Sequence, residues 1–171
     1  MISAIFGAAF FVLCLQAAIK DTLSLKITNG LNLSIAALFV PAAFAAQIGW
    51  SAAGAHVVVG LIAFIVSYLL FAFRLFGGGD AKMIPAVLVW IGPAGWLHFV
   101  FGMALSGGLL AIVVLLARRT VPADLAPGFA QNILNKENGI PYGVAIMAGA
   151  FFAAPHSDLL NAFLNQFSVF G

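Results

Sequence analysis

Six apolar runs, at about 2–19, 31–48, 55–76, 81–91, 95–117 and 141–155, take up most of this chain and decide which solvent it can fold in. A soluble domain carries about 25% charged residues. Here 7% are charged and 64% are hydrophobic, so the chain belongs in lipid. A hydrocarbon core of about 30 Å takes roughly 20 apolar helical residues per crossing, and 171 residues leave room for about six spans with short connections. The expected fold class is therefore all-α: a polytopic membrane bundle of about six transmembrane helices, forming a single integral-membrane domain over residues 1–171.

The fourth run is too short to cross alone, and Gly92-Pro93 marks its end. Proline lacks a backbone donor and clashes with the preceding turn, so runs four and five are expected as two helices meeting at a tight bend, and a five-span count stays open. All seven basic residues lie in alternate connections: Lys20 and Lys26, then Arg74 and Lys82, then Arg118, Arg119 and Lys136. Positive connections stay cytoplasmic, which puts both termini outside and Asp21 and Asp80 on one, cytoplasmic, side of a bacterial inner membrane. No basic stretch precedes the first run and no cleavage pattern follows it, so it reads as a retained span.

The net charge of +2 would suggest an anionic partner in a soluble protein, but basic residues at segment ends report topology, and nucleic acid is not an expected partner. Cys14 is the only cysteine, which rules out an intramolecular disulfide or a cysteine zinc cluster. Small residues at four-residue spacing, Gly102 with Ser106 and Ala145 with Gly149, read as helix-packing seams. The polar connection 118–140 is either a linker or the seat of a short interfacial helix around Phe129 to Leu134. Residues 156–171 place Leu159, Leu160, Phe163, Leu164 and Phe167 at helical spacing behind Ser157 and Asp158, as in an amphipathic surface helix.

Chemistry is concentrated at two membrane-edge acids. Asp80 follows Gly77, Gly78 and Gly79 at the end of the third run. Each interior glycine costs a helix about 1 kcal/mol relative to alanine, so the helix is expected to open here and bare its backbone to another peptide. Asp21 directly follows the first run and shares the expected face. An isolated aspartate at a helix end is ordinarily a cap or a solvated boundary residue. Two held close together cannot both ionise cheaply, so they share a proton and can act as acid and base on a peptide bond.

The sequence resembles the type IV prepilin peptidases, membrane aspartic endopeptidases marked by Gly-x-Gly-Asp, and more closely their short single-domain form serving tight-adherence (Flp) pili. The resemblance rests on Asp21 followed by Lys26-Ile27-Thr28-Asn29, on Gly77-Gly78-Gly79-Asp80 with Lys82, and on Gly139-Ile140-Pro141-Tyr142-Gly143-Val144-Ala145-Ile146. It implies that Asp21 and Asp80 are the catalytic pair, that no cofactor is needed, and that the substrate is a prepilin whose short basic leader is removed at the cytoplasmic membrane face. Thr28 stands where many relatives have proline. The paired-cysteine segment that larger relatives associate with N-methylation has no counterpart in these residues, so methyltransferase activity is not expected.

Lys82 has two readings, a charge beside the acids or a lysine snorkelling to headgroups. Asn29 is either a carboxylate partner or a turn residue beside Gly30. Tyr142 reads equally as an interfacial anchor. His56, His98 and His156 lack metal-ligand spacing, so no metal site is expected. Ser106 lacks the glycine two places earlier of an intramembrane serine site and reads as packing. The alternative class is a small transporter or a non-catalytic pilus-assembly protein using its acids for protons or ions, which would place acids at mid-depth. Besides the substrate, the partner expected is the lipid bilayer; the sequence assigns no oligomeric state.

Overall fold

A computed structural model describes residues 2–122 and 126–168, and every described regular element is helical. The helices are α1 (Ile2–Ser24), α2 (Asn29–Ala45), α3 (Trp50–Ala72), α4 (Asp80–Thr120), α5 (Gly128–Leu134), α6 (Gly143–Ala153) and α7 (Asp158–Ser168), with a 3-10 turn at Ala154–His156 between the last two. By length and apolarity three of them can cross a membrane, α1 from Ala4, α3 and α4; a fourth crossing requires the pair Gly143–His156 and Asp158–Asn165, bent by 76°, to act as one span. At 17 residues α2 falls just short of the same length. All six apolar runs are helical, but length does not establish six crossings.

α1, α2, α3, α4 and α6 are apolar all round, so their inward-facing residues are told apart by spacing rather than by hydrophobicity, whereas α7 is amphipathic. Phe10, Cys14, Ala17 and Asp21 form one buried stripe on α1, and Leu31, Asn32, Ile35, Phe39 and Ala42 form another on α2. In α3 the buried stripe is His56, Gly60, Ala63 and Ser67, while Leu61, Phe64, Ile65 and Leu69 face outward. Small and polar residues inside with large aliphatics outside is how a helix packs in lipid, where close backbone approach replaces the hydrophobic drive.

α4 is two helices joined at Gly92, whose φ of 70° and ψ of −171° lie in a region essentially restricted to glycine. Its first half runs along α3, with Gly60 against Val89 and His56 against Gly92. Its second half returns along α6, with Gly149 against Phe99 and Met103, Ser106 Oγ donating to Ala145 O at 3.3 Å, and Gly107 against Tyr142. The tight bend and the two small-residue seams expected from the sequence are thus present. His56 is six residues into α3, so the bend lies about 9 Å inside the end of that helix at 1.5 Å per residue.

A bend at that depth frees carbonyls where no water can take them. Pro93 has no N–H to give Val89 O, and His56 Nδ1 bonds that oxygen instead at 2.8 Å. Ser157 Oγ donates to Trp90 O at 2.8 Å and also caps the start of α7 at Leu160 N. His98 and His156 stack at 3.5 Å at the same end of the molecule. The histidines therefore all lie at the bend.

α7 buries Leu159, Leu160 and Phe163, the last against Gly7 of α1. In the connection before α6, α5 is the short helix that the sequence left open against a linker, one residue earlier at its start than Phe129. Arg118 fastens this connection to the end of α4, donating to the carbonyls of Ile133, Asn138 and Gly139 at 2.8–3.0 Å.

Candidate active site

The inward stripe of α1 delivers Asp21 into the interior one turn after Ala17, and its residue is only 5% exposed. Leu25, at φ 52°, then closes the helix by returning its N–H to Asp21 O at 2.7 Å. In the turn that follows, Ile27 is buried between two glycines. Its N and Cβ sit 3.2 and 3.1 Å from where a Cβ on Gly79 would lie, and its Cδ1 is 3.3 Å from the corresponding point on Gly143. One side chain thus packs the start of α4 and the start of α6 onto the end of α1.

Asp80 reaches the same place from the other direction. α3 ends earlier than the glycine run suggests: Arg74, at φ 61°, gives its N–H to Phe71 O while Leu75 N bonds Leu70 O, the paired bonds of a Schellman cap. The glycines are therefore the turn into α4 rather than the stop of α3, and Asp80 is the first residue of α4. None of the three has a positive φ. Their absence of side chains serves space: a Cβ on Gly77 would lie 2.9 Å from Asp80 Oδ2, one on Gly79 would meet the Ile27 backbone, and one on Gly78 would only brush the edge of the Phe71 ring at 3.3 Å. The Gly-x-Gly-Asp pattern is thus two steric requirements flanking one tolerant position.

The half-buried Asp80 carboxyl and the buried Asp21 carboxyl are close enough for the charge of Asp21 to act on Asp80. Gly143 N–H, at the start of α6 where helical N–H groups are free, donates to Asp21 Oδ2 at 2.8 Å. A Cβ on Gly143 would lie 3.1 Å from both Asp21 Cβ and Oδ2, so only glycine brings that N–H so near. Tyr142 lies beside the pair, its ring 6.1 Å from Phe76. Burial, and after it the charge of Asp80, holds its phenol above the usual tyrosine value, so it remains a neutral O–H donor at physiological pH.

The supporting residues fall into place differently from one another. Lys82 Nζ donates to Asn29 Oδ1 at 2.8 Å in an exposed pair, so the basic side chain is held by the amide rather than by either acid. Thr28, the N-cap of α2, has φ −73° and ψ 146°, angles that proline also adopts. Two contributors carried no assigned role in the sequence. Gly143 sits in the third motif but acts through its backbone. Asn32, buried in an otherwise apolar face, donates from Nδ2 to Gly79 O at 3.2 Å and so grips the residue before Asp80. A polar residue inside an apolar helix is the signal that marks it.

The fold and the site together define a polytopic helical membrane protein with two interacting carboxyls gathered at one end of its bundle. The sequence model of the type IV leader peptidase family matches residues 8–112, more than half of the chain, from α1 into the second half of α4. The chain belongs to that family, and a leader-peptidase type of function follows. The match includes Asp21 and Asp80 and stops short of Gly143. No curated protein and no solved structure matches the chain.

Proposed function

We propose that the protein is an aspartic endopeptidase that removes the short leader of Flp-type prepilins at the cytoplasmic face of a bacterial inner membrane, with Asp21 and Asp80 as its catalytic pair. The observation that carries the reading is that Ile27 packs against both Gly79, the residue before Asp80, and Gly143, the residue that bonds Asp21, and that the two carboxyls lie within electrostatic reach of each other.

In the proposed reaction the ionised carboxyl of the pair takes a proton from water as its oxygen attacks the scissile carbonyl, and the protonated one donates to the carbonyl oxygen. As the C–N bond breaks, the carboxyl protonated by water gives its proton to the nitrogen while the other takes one from the gem-diol, which releases a carboxylic acid and an amine and leaves the pair again with one proton. Two nearby carboxyls hold a single proton across a working pH range, as this cycle requires. Methyl transfer is not part of the proposal.

The test is co-expression with a candidate Flp-type prepilin, read by leader removal on a gel and by N-terminal sequencing. Asp21→Asn and Asp80→Asn should each abolish cutting while the protein stays in the membrane; normal cleavage by either sinks the assignment. The sidedness is checked by thiol labelling at Ser24→Cys and Leu75→Cys, both exposed positions. Labelling from the periplasm alone would overturn the cytoplasmic placement.

A further inference from the structure

α2 and α3 are joined by residues 46–49 and meet beside that connection through the Phe39–His56 and Phe44–Trp50 ring pairs; toward their other ends each packs on α4 and a space opens between them. The space between them is a groove of about 470 Å³, walled by Leu33 and Ala36 of α2 and Leu61 and Phe64 of α3, and floored by Pro85 and Val89 of α4. It spans eight residues of each helix, a rise of about 10 Å or two helical turns. Its sides are open to the lipid, since Leu33 is 69% and Leu61 58% exposed. Its polar end is formed by Asn29, Asn32 and Lys82, next to the Gly79-Asp80 turn.

The polar end holds an acceptor with nothing to accept. Asn32 Nδ2 is committed to Gly79 O, which fixes the amide orientation, and Asn32 Oδ1 is buried without a partner. A buried carbonyl oxygen left unpaired is costly, and a bound N–H donor removes that cost. A lipid acyl chain fills apolar volume but brings no donor. The first turn of a helix carries four free backbone N–H groups followed by side chains at i, i+3, i+4 and i+7, matching a groove that is polar at one end and apolar for two turns.

We propose that this groove receives the start of the apolar helix that follows the scissile bond in the substrate, with Asn32 Oδ1 accepting one of its backbone N–H groups. The inference rests on the peptidase reading above and adds to it the path by which the substrate enters: sideways from lipid between α2 and α3, with its scissile bond carried past Asn32 to the acids. Asn32 thereby acts as a positioning residue, coupling the presence of substrate in the groove to the Gly79 carbonyl that precedes Asp80.

The experiment uses the full chain in liposomes with a full-length candidate prepilin. Ala36→Phe and Leu61→Trp narrow the groove without touching the acids; the second, at an exposed position, guards against a folding failure of the first. Both should raise KM about tenfold or more with kcat within about twofold of wild type. Unchanged KM in both variants overturns the proposal, and is the result expected if the groove holds only lipid. Independently, a photo-crosslinker at Leu61 should capture the prepilin helix at positions spaced three and four residues apart, whereas equal capture from Leu109, an exposed residue on the second half of α4, overturns it. Because crosslinking reads binding, a wild-type protein that cuts no prepilin refutes the peptidase reading, while capture at Leu61 still supports the groove.

Discussion

The chain interrupts its helices with glycine at two places that the structure treats in opposite ways. At Gly92, the backbone is broken inside the bundle, and the carbonyls released there are taken up again, Val89 O by His56 and Trp90 O by Ser157, so that the backbone is satisfied even though the His98 Nδ1 nearby is buried without a partner. At Gly77–Asp80, polar groups are gathered and left short of partners. Among the described residues, Gly143 N–H is the hydrogen bond donor to the acid pair, the nearby Lys82 is occupied by Asn29, and Asn32 Oδ1 has no partner at all. A satisfied break is a building element. An unsatisfied one stores a capacity to bind, because unmet hydrogen bonds and crowded carboxyls are costly in the free protein and relieved by substrate.

The largest effect that can separate the two regions is on catalysis. Asp80→Asn should lower prepilin cleavage by about a thousandfold or more, since it removes a proton-transfer group outright. Because the amide also removes one of two crowded carboxyls, the unfolding temperature of the detergent-purified protein should stay level or rise. A fall in stability would mean that Asp80 is a structural group and would erase the contrast.

Gly92→Ala should do the reverse. Its Cβ would lie 2.3 Å from the His56 ring, at a φ that L-residues rarely adopt, and the strain and overpacking together should cost about 2–4 kcal/mol. Thermal unfolding should show that loss, while cleavage per folded molecule stays within about threefold. Loss of cleavage in a protein of normal stability would instead make the bend part of the active site.

The glycine turn permits a finer test within the site itself. Gly79→Ala forces its Cβ against the Ile27 backbone, whereas Gly78→Ala meets only a ring edge that can shift. Cleavage should fall at least about tenfold for the first, in keeping with misplacement of a reacting group by about an ångström, and change little for the second. Equal loss in both would show that the run is needed for backbone freedom rather than for space.

How much of this was legible in the sequence varies with the kind of residue. The six apolar runs, the bend at Gly92-Pro93 and the seams at Gly102/Ser106 and Ala145/Gly149 could be read directly, because lipid and proline impose simple rules on them. Both acids could be found, and the α1 periodicity through Phe10, Cys14 and Ala17 even aims Asp21 inward. The end of α3 could not, since a left-handed arginine supplies the stop that glycines ordinarily provide. Gly143 and Asn32 stayed hidden for a related reason: each works by a contact to a residue 122 or 47 positions away, which no local pattern encodes. Nor do the runs give a crossing count, because α2 and α6 are short and α4 folds back on itself.

The smallest effect comes from the helix ends. Gln47 closes α2 at φ 54°, as Arg74 closes α3 at φ 61°, each a left-handed position held by a residue with a side chain. Glycine removes the Cβ strain there but is more costly to order on folding, so the net gain should be about 0.5–1 kcal/mol, or roughly 1–3 °C in unfolding temperature. Gln47→Gly lies in the α2–α3 connection, away from the acids, and should leave cleavage unchanged. Arg74→Gly relieves the same strain but loosens the segment that carries Gly77–Asp80 into place, so its stability gain should come with a cleavage rate lower by about two- to threefold. If the two variants behave alike in both assays, the turn into Asp80 is held by Ile27 and Asn32 alone, and the left-handed cap at Arg74 serves only to end its helix.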